Sequence, residues 1–468
     1  MRKISVLYVA LLLSTLSLAQ SNSKLKESYV DSTSYVYFMK GQHPELVALT
    51  KNALLSGIDS YYLRVRIGVS YFNKNEFYLA AIHLRKAVEF YPSDIYAKEF
   101  LFYSYLYMEN MEEAKLIIAK MPFTYQAGYR KLIKLQKSVV FESGYQTTSY
   151  SNNQDSAVFL AKDVTDTSLH GNGVYAVSDR MKSIQYIQIG GGYPISKRMK
   201  GYSGLSLVRN NREEHVYSKD YIWDNTKLVY TPKIKDTLHT YTLSQYQVYS
   251  GVTITLPQHF NILVGGQYMY YDQNKLYAKY NETSFNYSYK DSTTSRSNFV
   301  SNVSLTKSFG KFIPMLSFGV NRIDAYTINQ YNAQSSYLPL GNFNLVLTGG
   351  LALSKDNSGS RNVYYIKLGG KITNNLWYDT YFYAGNLKNF TEGNGYVVYN
   401  ISDKITMKSG VNLTYYLNQK LNFGLRYDLL KRESLYDRYF TSNGISKVKS
   451  YSDNYLNHSL IFNVLWKF

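Results

Sequence analysis

The chain has 468 residues, of which 51 are tyrosine, 8 are proline and none is cysteine. Without cysteine there is no disulfide framework and no thiolate chemistry, so the fold must rest on core burial and strand pairing. The 52 basic and 33 acidic residues give a formal charge of +19. Such a charge attracts polyanions, although lysines that only keep surface loops soluble explain it equally well.

The first 19 residues have the pattern of an export signal. Arg2 and Lys3 precede an apolar stretch from Ile4 to Leu18, and Ser17-Leu18-Ala19 forms a small-x-small cleavage motif. A retained anchor is the alternative, but the stretch of about fifteen residues is shorter than the roughly twenty that a spanning helix needs. We therefore expect cleavage before Gln20. The available polyanions are then lipopolysaccharide phosphates and acidic polysaccharide, not nucleic acid.

Residues 20–137 are predicted to form a periplasmic helical domain, because apolar residues recur at helical spacing from Leu25 to about Lys137. One stretch that starts at Tyr61 resembles a tetratricopeptide repeat of about 34 residues. Arg64 departs from that pattern, which has a large apolar residue at this position. The positions expected to pack the repeat are Gly68, Tyr71, Ala80, Leu84, Ala87 and Pro92.

The roles expected of these residues follow from helix packing. Gly68 and Ala80 are small where two helices cross, Tyr71 and Leu84 fill the space between the helices, and Pro92 ends the second helix. A second copy in phase contains Leu101, Tyr105, Ala114 and Ile118, and a weaker copy is expected from Glu27 to Ser60. An ordinary helical bundle is the alternative.

Residues 138–468 are predicted to form a transmembrane antiparallel β-barrel, because the apolar period changes from 3.6 to 2 after Lys137. The number of segments with alternating apolar and polar residues suggests about fourteen strands, with twelve or sixteen as alternatives. Short turns alternate with long polar loops, expected at residues 151–179, 211–240, 272–296 and 431–450. One strand is expected to place the following residues on a single apolar face: Ile405, Met407, Val411, Leu413, Tyr415 and Leu417.

The C-terminal strand alternates apolar side chains up to the last residue of the chain. Its apolar face is formed by Leu460, Phe462, Val464, Trp466 and Phe468. A terminal aromatic residue with this alternation resembles the signal that barrel-assembly machinery recognises. The sequence therefore predicts a bacterial outer-membrane protein in contact with membrane lipids and lipopolysaccharide, with its short turns and its helical domain on the periplasmic side.

Strand alternation directs several charged side chains into the predicted lumen. They are Lys367, Lys371, Asp379, Lys408, Arg426 and Asp428. Buried charges should be paired, so a network of salt bridges that braces the barrel is the favoured interpretation. The alternative is a cationic path for an anionic polymer.

The sequence contains no catalytic constellation, metal-binding motif or cofactor motif that would favour an enzyme. The seven histidines lack the spacing of metal ligands. A lipid-modifying barrel enzyme would need a serine beside a histidine on neighbouring strands. His458 with Ser143 or Ser149 is the candidate, but a histidine that is simply hydrogen-bonded at the membrane interface is the simpler interpretation.

A signal, a few helical repeats and a C-terminal barrel together resemble the YaiO-type outer-membrane barrel family. The architecture is also similar to shortened exporters of cellulose and poly-N-acetylglucosamine. The resemblance implies one of two roles. The first is an envelope scaffolding or assembly protein whose repeats dock a periplasmic partner, and the second is transport or export of polysaccharide or small solutes through the lumen.

Overall fold

The computed structural model describes most of the chain from Leu25 onward, and the predicted export signal lies outside the described residues. The described residues fall into two compact units that divide between Ile133 and Lys134. The ranges described are 25–108, 110–133, 137–150, 174–196, 198–256, 260–281, 286–324, 326–400, 403–442 and 445–468.

The first unit contains seven described helices. They are α1 Glu27–Met39, α2 His43–Leu55, α3 Tyr61–Asn73, α4 Phe77–Phe90, α5 Ile95–Tyr107, α6 Met111–Ala119 and α7 Phe123–Leu132. Helices α1, α3 and α5 begin at residues 27, 61 and 95, and α2, α4 and α6 begin at residues 43, 77 and 111. Each helix pair therefore recurs after 34 residues.

Helices α3 and α4 cross closely at Gly68. A Cβ atom added to Gly68 would stand 2.7 Å from Cγ of Leu84, and Leu84 itself is fully buried. Ala80 and Ala87 on α4 are also fully buried, so small residues let the two backbones approach. Helix α4 ends at Phe90, two residues before Pro92. Among the described residues no helix is long and apolar enough to cross a membrane.

The second unit is a closed antiparallel barrel of fourteen strands, which confirms the predicted fold class and strand number. The barrel strands are β1 Ser138–Tyr150, β2 Val174–Ser196, β3 Met199–Asp224, β4 Val229–Leu256, β5 Phe260–Asn281, β6 Asn286–Lys307, β7 Phe312–Ile323, β8 Tyr326–Tyr337, β9 Leu345–Asp356, β10 Gly359–Lys371, β11 Leu376–Gly385, β14 Lys404–Tyr416, β15 Leu421–Ser442 and β16 Ile445–Lys467. Two short strands, β12 Thr391–Glu392 and β13 Val397–Val398, form a separate hairpin.

The barrel closes by pairing its first strand with its last. Ser138 on β1 lies opposite Lys467 on β16, and the backbone N–H of Phe468 donates to the carbonyl of Lys137 at 3.0 Å. Both ends of this unit therefore lie at the barrel end that carries the short turns. On β16 the outward face includes Leu460, Phe462, Trp466 and Phe468, each roughly half exposed, with Val464 partly exposed between them.

The prediction that the apolar residues of β14 share one face is wrong for Ile405. Ile405 is buried on the inner side, whereas Val411, Leu413 and Tyr415 are exposed on the outer side. The register with β15 shifts between Ile405 and Met407, which is a β-bulge. The extra residue at the bulge moves Ile405 to the opposite face of the strand.

Three of the four predicted long loops are largely strand. In each of these three hairpins the strands stay paired almost to the connection. The last pairs are Asp224 with Val229 for β3 and β4, Asn281 with Asn286 for β5 and β6, and Ser442 with Ile445 for β15 and β16. The fourth loop falls mostly outside the described residues, although β2 already begins at Val174. Where a ribbon extends past the lipid, both of its faces meet water, so its sequence loses the apolar alternation and resembles a loop.

The Gly68 contact leads to a matched pair of substitutions. Gly68→Ala places a methyl group against Leu84 and should destabilise the helical unit by roughly 1–3 kcal/mol, since overpacking outweighs the gain of up to about 1 kcal/mol in helix propensity. In Gly128→Ala the new Cβ meets no atom within 4 Å, so this control should be neutral or slightly stabilising. Thermal unfolding of the full chain, followed by helical circular dichroism, measures both; equal effects would contradict the close crossing.

Candidate functional site

The connection between β11 and β14 folds into the barrel instead of extending away from it. This lumen segment, whose described residues are 386–400 and 403, contains the hairpin of β12 and β13. Positive φ angles at Asn389, Gly393, Asn394 and Gly395 allow its tight turns. Leu387 and Phe390 are buried in an apolar cluster with Ile405 and Leu430, so the segment is anchored to the inner wall beside the strands that it connects.

Polar contacts attach the same segment to distant strands. Gln330 on β8 donates to the carbonyl of Thr391 at 2.8 Å and accepts from its backbone N–H at 3.0 Å. Asn400 donates to the amide oxygen of Gln245 on β4 at 2.8 Å, and Tyr396 contacts Tyr202 on β3 at 3.3 Å. Strand β4 lies seven positions from β11 in the order of fourteen strands, which is half the circumference. The segment therefore crosses the full width of the lumen.

Glu392 is the charged centre of the lumen segment. Its carboxylate accepts from Nζ of Lys408 on β14 at 2.8 Å and lies 3.8 Å from Nζ of Lys367 on β10. The hydroxyls of Tyr399, at 2.8 Å, and Tyr383 also donate to it. Two cations and two phenols on one partly buried carboxylate form an ion cluster in which loss of a single partner leaves a charge uncompensated.

The structure brings together most of the charges predicted to face the lumen. Lys367 and Lys408 meet at Glu392, and Arg426 lies between Glu142 at 3.6 Å and Asp428 at 3.5 Å.

The other two predicted charges are not members of these ion pairs. Asp379 contacts the side-chain amide of Asn412 at 3.5 Å. Lys371 is the last residue of β10, opposite Trp377 at the turn end, and does not line the central cavity. Sequence reasoning missed Glu392, whose flanking glycines and asparagines indicate a turn but not its inward direction.

A polar cavity of about 820 Å³ lies beside the lumen segment. Its charged lining is balanced, with six acidic and six basic residues among those described. The acidic residues are Glu142, Asp179, Asp324, Asp379, Glu392 and Asp428, and the basic residues are Arg212, Arg296, Lys367, Lys408, Arg426 and Arg432. A lining without net charge does not select an anionic polymer by electrostatics. Among the described residues, no group of three or more acidic or histidine side chains could hold a metal ion.

In the helical unit, Tyr71 does more than fill the space between two helices. Its ring stacks on His83 at 5.7 Å and meets His43 edge-on at 5.0 Å. Arg64, the departure from the repeat pattern, donates to Nδ1 of His83 at 2.9 Å and pairs with Asp59 at 2.6 Å. Burial, reinforced by the Arg64 charge, lowers the pKa of His83 to about 4.

The histidine predicted on the last strand has two side-chain partners. His458 Nε2 lies 3.1 Å from Oγ of Ser149, and His458 Nδ1 lies 2.8 Å from the hydroxyl of Tyr427. Ser143, the other candidate, lies opposite Phe462, four residues further along β16. The structure therefore selects Ser149 as the neighbour of His458.

No family model and no curated protein matches the chain. Solved structures that resemble it are outer-membrane barrels. The translocator domain of the autotransporter NalP from Neisseria meningitidis matches 78% of this chain and 99% of its own, with 9% identity and a TM-score of 0.32. A FadL homologue from Pseudomonas aeruginosa matches 71% and 91%, with 8% identity and a TM-score of 0.40. The toluene transporter TodX of Pseudomonas putida matches 70% and 89%, with 6% identity and a TM-score of 0.40.

The lowered pKa of His83 predicts a pH-dependent stability of the helical unit. His83 is neutral in the folded chain but takes up a proton below pH 6.5 when unfolded, so stability should fall as the pH drops from about 6.5 toward 4. His83→Gln removes this proton uptake and should flatten the dependence by roughly 2 kcal/mol, discounted for partial exposure. Urea unfolding of the helical signal at several pH values measures it. An unchanged slope in the variant would contradict the assignment.

Proposed function

We propose that this chain is a bacterial outer-membrane barrel whose lumen is braced shut and whose periplasmic helical domain docks a partner, in envelope scaffolding or assembly. The observation that carries this proposal is the lumen segment. It extends from β11 to contacts on the opposite strand β4, and its charge is neutralised by Lys408 and Lys367. The outward apolar side chains of the closed barrel support a place in the membrane.

The geometry of the lumen favours scaffolding over polymer export. A barrel of fourteen strands has a backbone diameter of roughly 25–30 Å, given the spacing and tilt of strands. Side chains and the lumen segment occupy the middle of that width. Passage of a polysaccharide would require the segment to leave, breaking the Glu392 ion cluster and the paired hydrogen bonds between Thr391 and Gln330.

The helical unit supports the docking part of the proposal. Three helix pairs with a period of 34 residues are typical of tetratricopeptide repeats, which present one surface to a protein or peptide. Tyr62 and Tyr96 are the second residues of α3 and α5, so they occupy equivalent repeat positions, and their side chains are 61% and 46% exposed. Exposed aromatic residues at equivalent repeat positions suit a protein partner.

A second candidate function, the passage of small polar solutes, is supported by the polar cavity. Its volume of about 820 Å³ would hold a solute of a few hundred daltons, and its balanced charges suit a neutral or zwitterionic molecule. In this case the lumen segment would act as a constriction around which the solute moves.

The braced lumen predicts the electrical behaviour of the protein in planar bilayers. The purified full-length protein should show little steady conductance. Glu392→Gln removes the counter-charge that the nearly buried Lys408 shares with the partly exposed Lys367. Loss of the partner of a fully buried charge costs about 3–5 kcal/mol, and solvent screening at these side chains reduces that cost. The variant should therefore open at least tenfold more often than the parent.

A matched control is available on the outside of the same barrel. Glu433 pairs with Lys404 at 2.9 Å through side chains that are more exposed, so Glu433→Gln should leave the conductance unchanged. A large, steady conductance of the parent protein would overturn the braced lumen and favour solute passage. Swelling of liposomes in zwitterionic and charged sugars would then identify the solute class.

The docking proposal can be tested in living cells. A photo-crosslinking amino acid at Tyr62 or Tyr96 should capture one periplasmic protein, whereas the same substitution at Leu228, in the β3–β4 turn of the barrel, should not. Tyr62→Ala combined with Tyr96→Ala should weaken that complex at least tenfold while thermal unfolding of the helical unit stays unchanged. The same captured protein at all three positions would count against a specific docking surface.

A further inference from the structure

Three polar side chains form a hydrogen-bonded line on the outer face of the barrel. Ser149 comes from β1, His458 from β16 and Tyr427 from β15. His458 Nε2 lies 3.1 Å from Oγ of Ser149, and Nδ1 lies 2.8 Å from the hydroxyl oxygen of Tyr427. Ser149 and Tyr427 both lie diagonally from His458, one on each neighbouring strand, because their direct partners on β16 are Leu456 and Leu460.

The line faces lipid and not the lumen. His458 shares its strand face with Leu460 and Phe462, which are 54% and 44% exposed. The residues on either side of it, Asn457 and Ser459, are buried toward the interior. A hydroxyl and an imidazole in this position are costly in hydrocarbon unless they bond to one another.

The height of His458 along the barrel places it near the membrane surface. Ten residues separate it from Phe468 at the turn end. With a rise of about 3.3 Å per residue and a strand tilt of about 40°, that distance is roughly 25 Å, the height of the lipid-facing band of such barrels. Taking the turn end as the periplasmic edge of the lipid-facing band places His458 where the band ends, at the depth of the ester groups of the outer leaflet.

The order of the three groups matches a nucleophile, its base and a residue that orients the base. When Nδ1–H of His458 donates to Tyr427, Nε2 is left to accept the proton of Ser149, which is the tautomer that activates a serine. Ser149 is exposed, so a lipid carbonyl can reach its Oγ. A histidine that only satisfied an interfacial tyrosine would not require a serine on its second nitrogen.

We propose that Ser149 and His458 are the catalytic residues of a lipid acyl-ester hydrolase on the outer wall of the barrel, with Tyr427 as a positioning residue. Ser149 Oγ attacks the ester carbonyl carbon and its proton passes to His458 Nε2. The bond between the carbonyl carbon and the alcohol oxygen breaks, and His458 returns the proton to the departing alcohol. Water then attacks the acyl-serine, gives its proton to His458 and releases the fatty acid, and the proton on His458 returns to Ser149.

A cation lies in position for the headgroup of such a lipid. Lys431 is exposed and stands directly opposite Leu456, which on its other side stands opposite Ser149. Lys431 and Ser149 are thus two strands apart in one row, about 10 Å between their backbones. This separation suits a phosphate bound by Lys431 while a nearby acyl ester lies on Ser149.

The experiment uses the full-length protein in detergent and in phosphatidylethanolamine vesicles. The probes are an alkyl fluorophosphonate, which labels activated serines, and the release of fatty acid from the vesicles or from added lipopolysaccharide. Ser149→Ala should abolish labelling, and His458→Ala should slow both reactions at least 100-fold. Tyr427→Phe should slow them about tenfold and shift the pH profile, because the base loses its orienting partner.

Two controls distinguish chemistry from folding. Ser143→Ala removes an outward serine of the same strand and should leave labelling and hydrolysis unchanged, and heat-dependent gel migration reports whether each barrel is folded. Lys431→Gln should raise KM for phosphatidylethanolamine but not for an uncharged nitrophenyl ester.

Each outcome of the labelling and hydrolysis experiments either supports or overturns the proposal. Loss of labelling in folded Ser149→Ala supports the proposal, and the better hydrolysed lipid identifies the substrate source. Labelling that persists in Ser149→Ala overturns it. A folded parent protein that neither takes up the fluorophosphonate nor releases fatty acid from either lipid overturns it as well.

Discussion

The structure depends on the need to pair every backbone N–H and C=O group that lies in lipid. An open sheet edge in hydrocarbon would cost several kcal/mol for each unpaired group, so the sheet must close. Here closure is achieved by β1, which pairs with β2 on one side and with β16 on the other. Once the sheet is closed, strand alternation directs each side chain to lipid or to lumen. The Glu392 ion cluster therefore lies on the inner face of the barrel wall, and the Ser149–His458 pair lies on its outer face.

The lumen has to balance its charges from its own residues. Lys408 and Lys367 point inward from β14 and β10, and no acid on those strands neutralises them directly; Glu392 is supplied by the segment that folds in between β11 and β14. Two uncharged residues of the wall bond to the same segment: Gln330 bonds to Thr391, and Gln245 bonds to Asn400. Wall and segment therefore require each other, and removing the segment would expose a set of unpaired charges.

The sequence predicts the parts of this fold that alternation encodes. Alternation of apolar and polar residues predicts the fourteen strands and the inward direction of Lys408 and Arg426, because successive side chains of a strand point to opposite faces. It fails at Ile405, because a single bulged residue reverses the face without changing composition. It fails at Glu392, because a connection between strands has no period that could tell inward from outward. Polar ribbons such as β3 and β4 are mistaken for loops, since alternation disappears where both faces meet water.

The pairing of Ser149 with His458 lies between these cases. Alternation places both outward, but which serine meets His458 depends on the register of β1 against β16, which is set only when the barrel closes. If β1 shifted by two residues against β16, every side chain would keep its face of the barrel, but Ser149 would no longer lie beside His458. Burial of the barrel residues alone therefore does not explain why this serine and this histidine are neighbours. Tyr427 arrives from the other side of β16 through a separate register with β15. The two registers are independent, and together they place Ser149 and Tyr427 beside the imidazole of His458 at the depth of lipid esters. Acyl transfer needs this arrangement, whereas closure of the barrel does not require it.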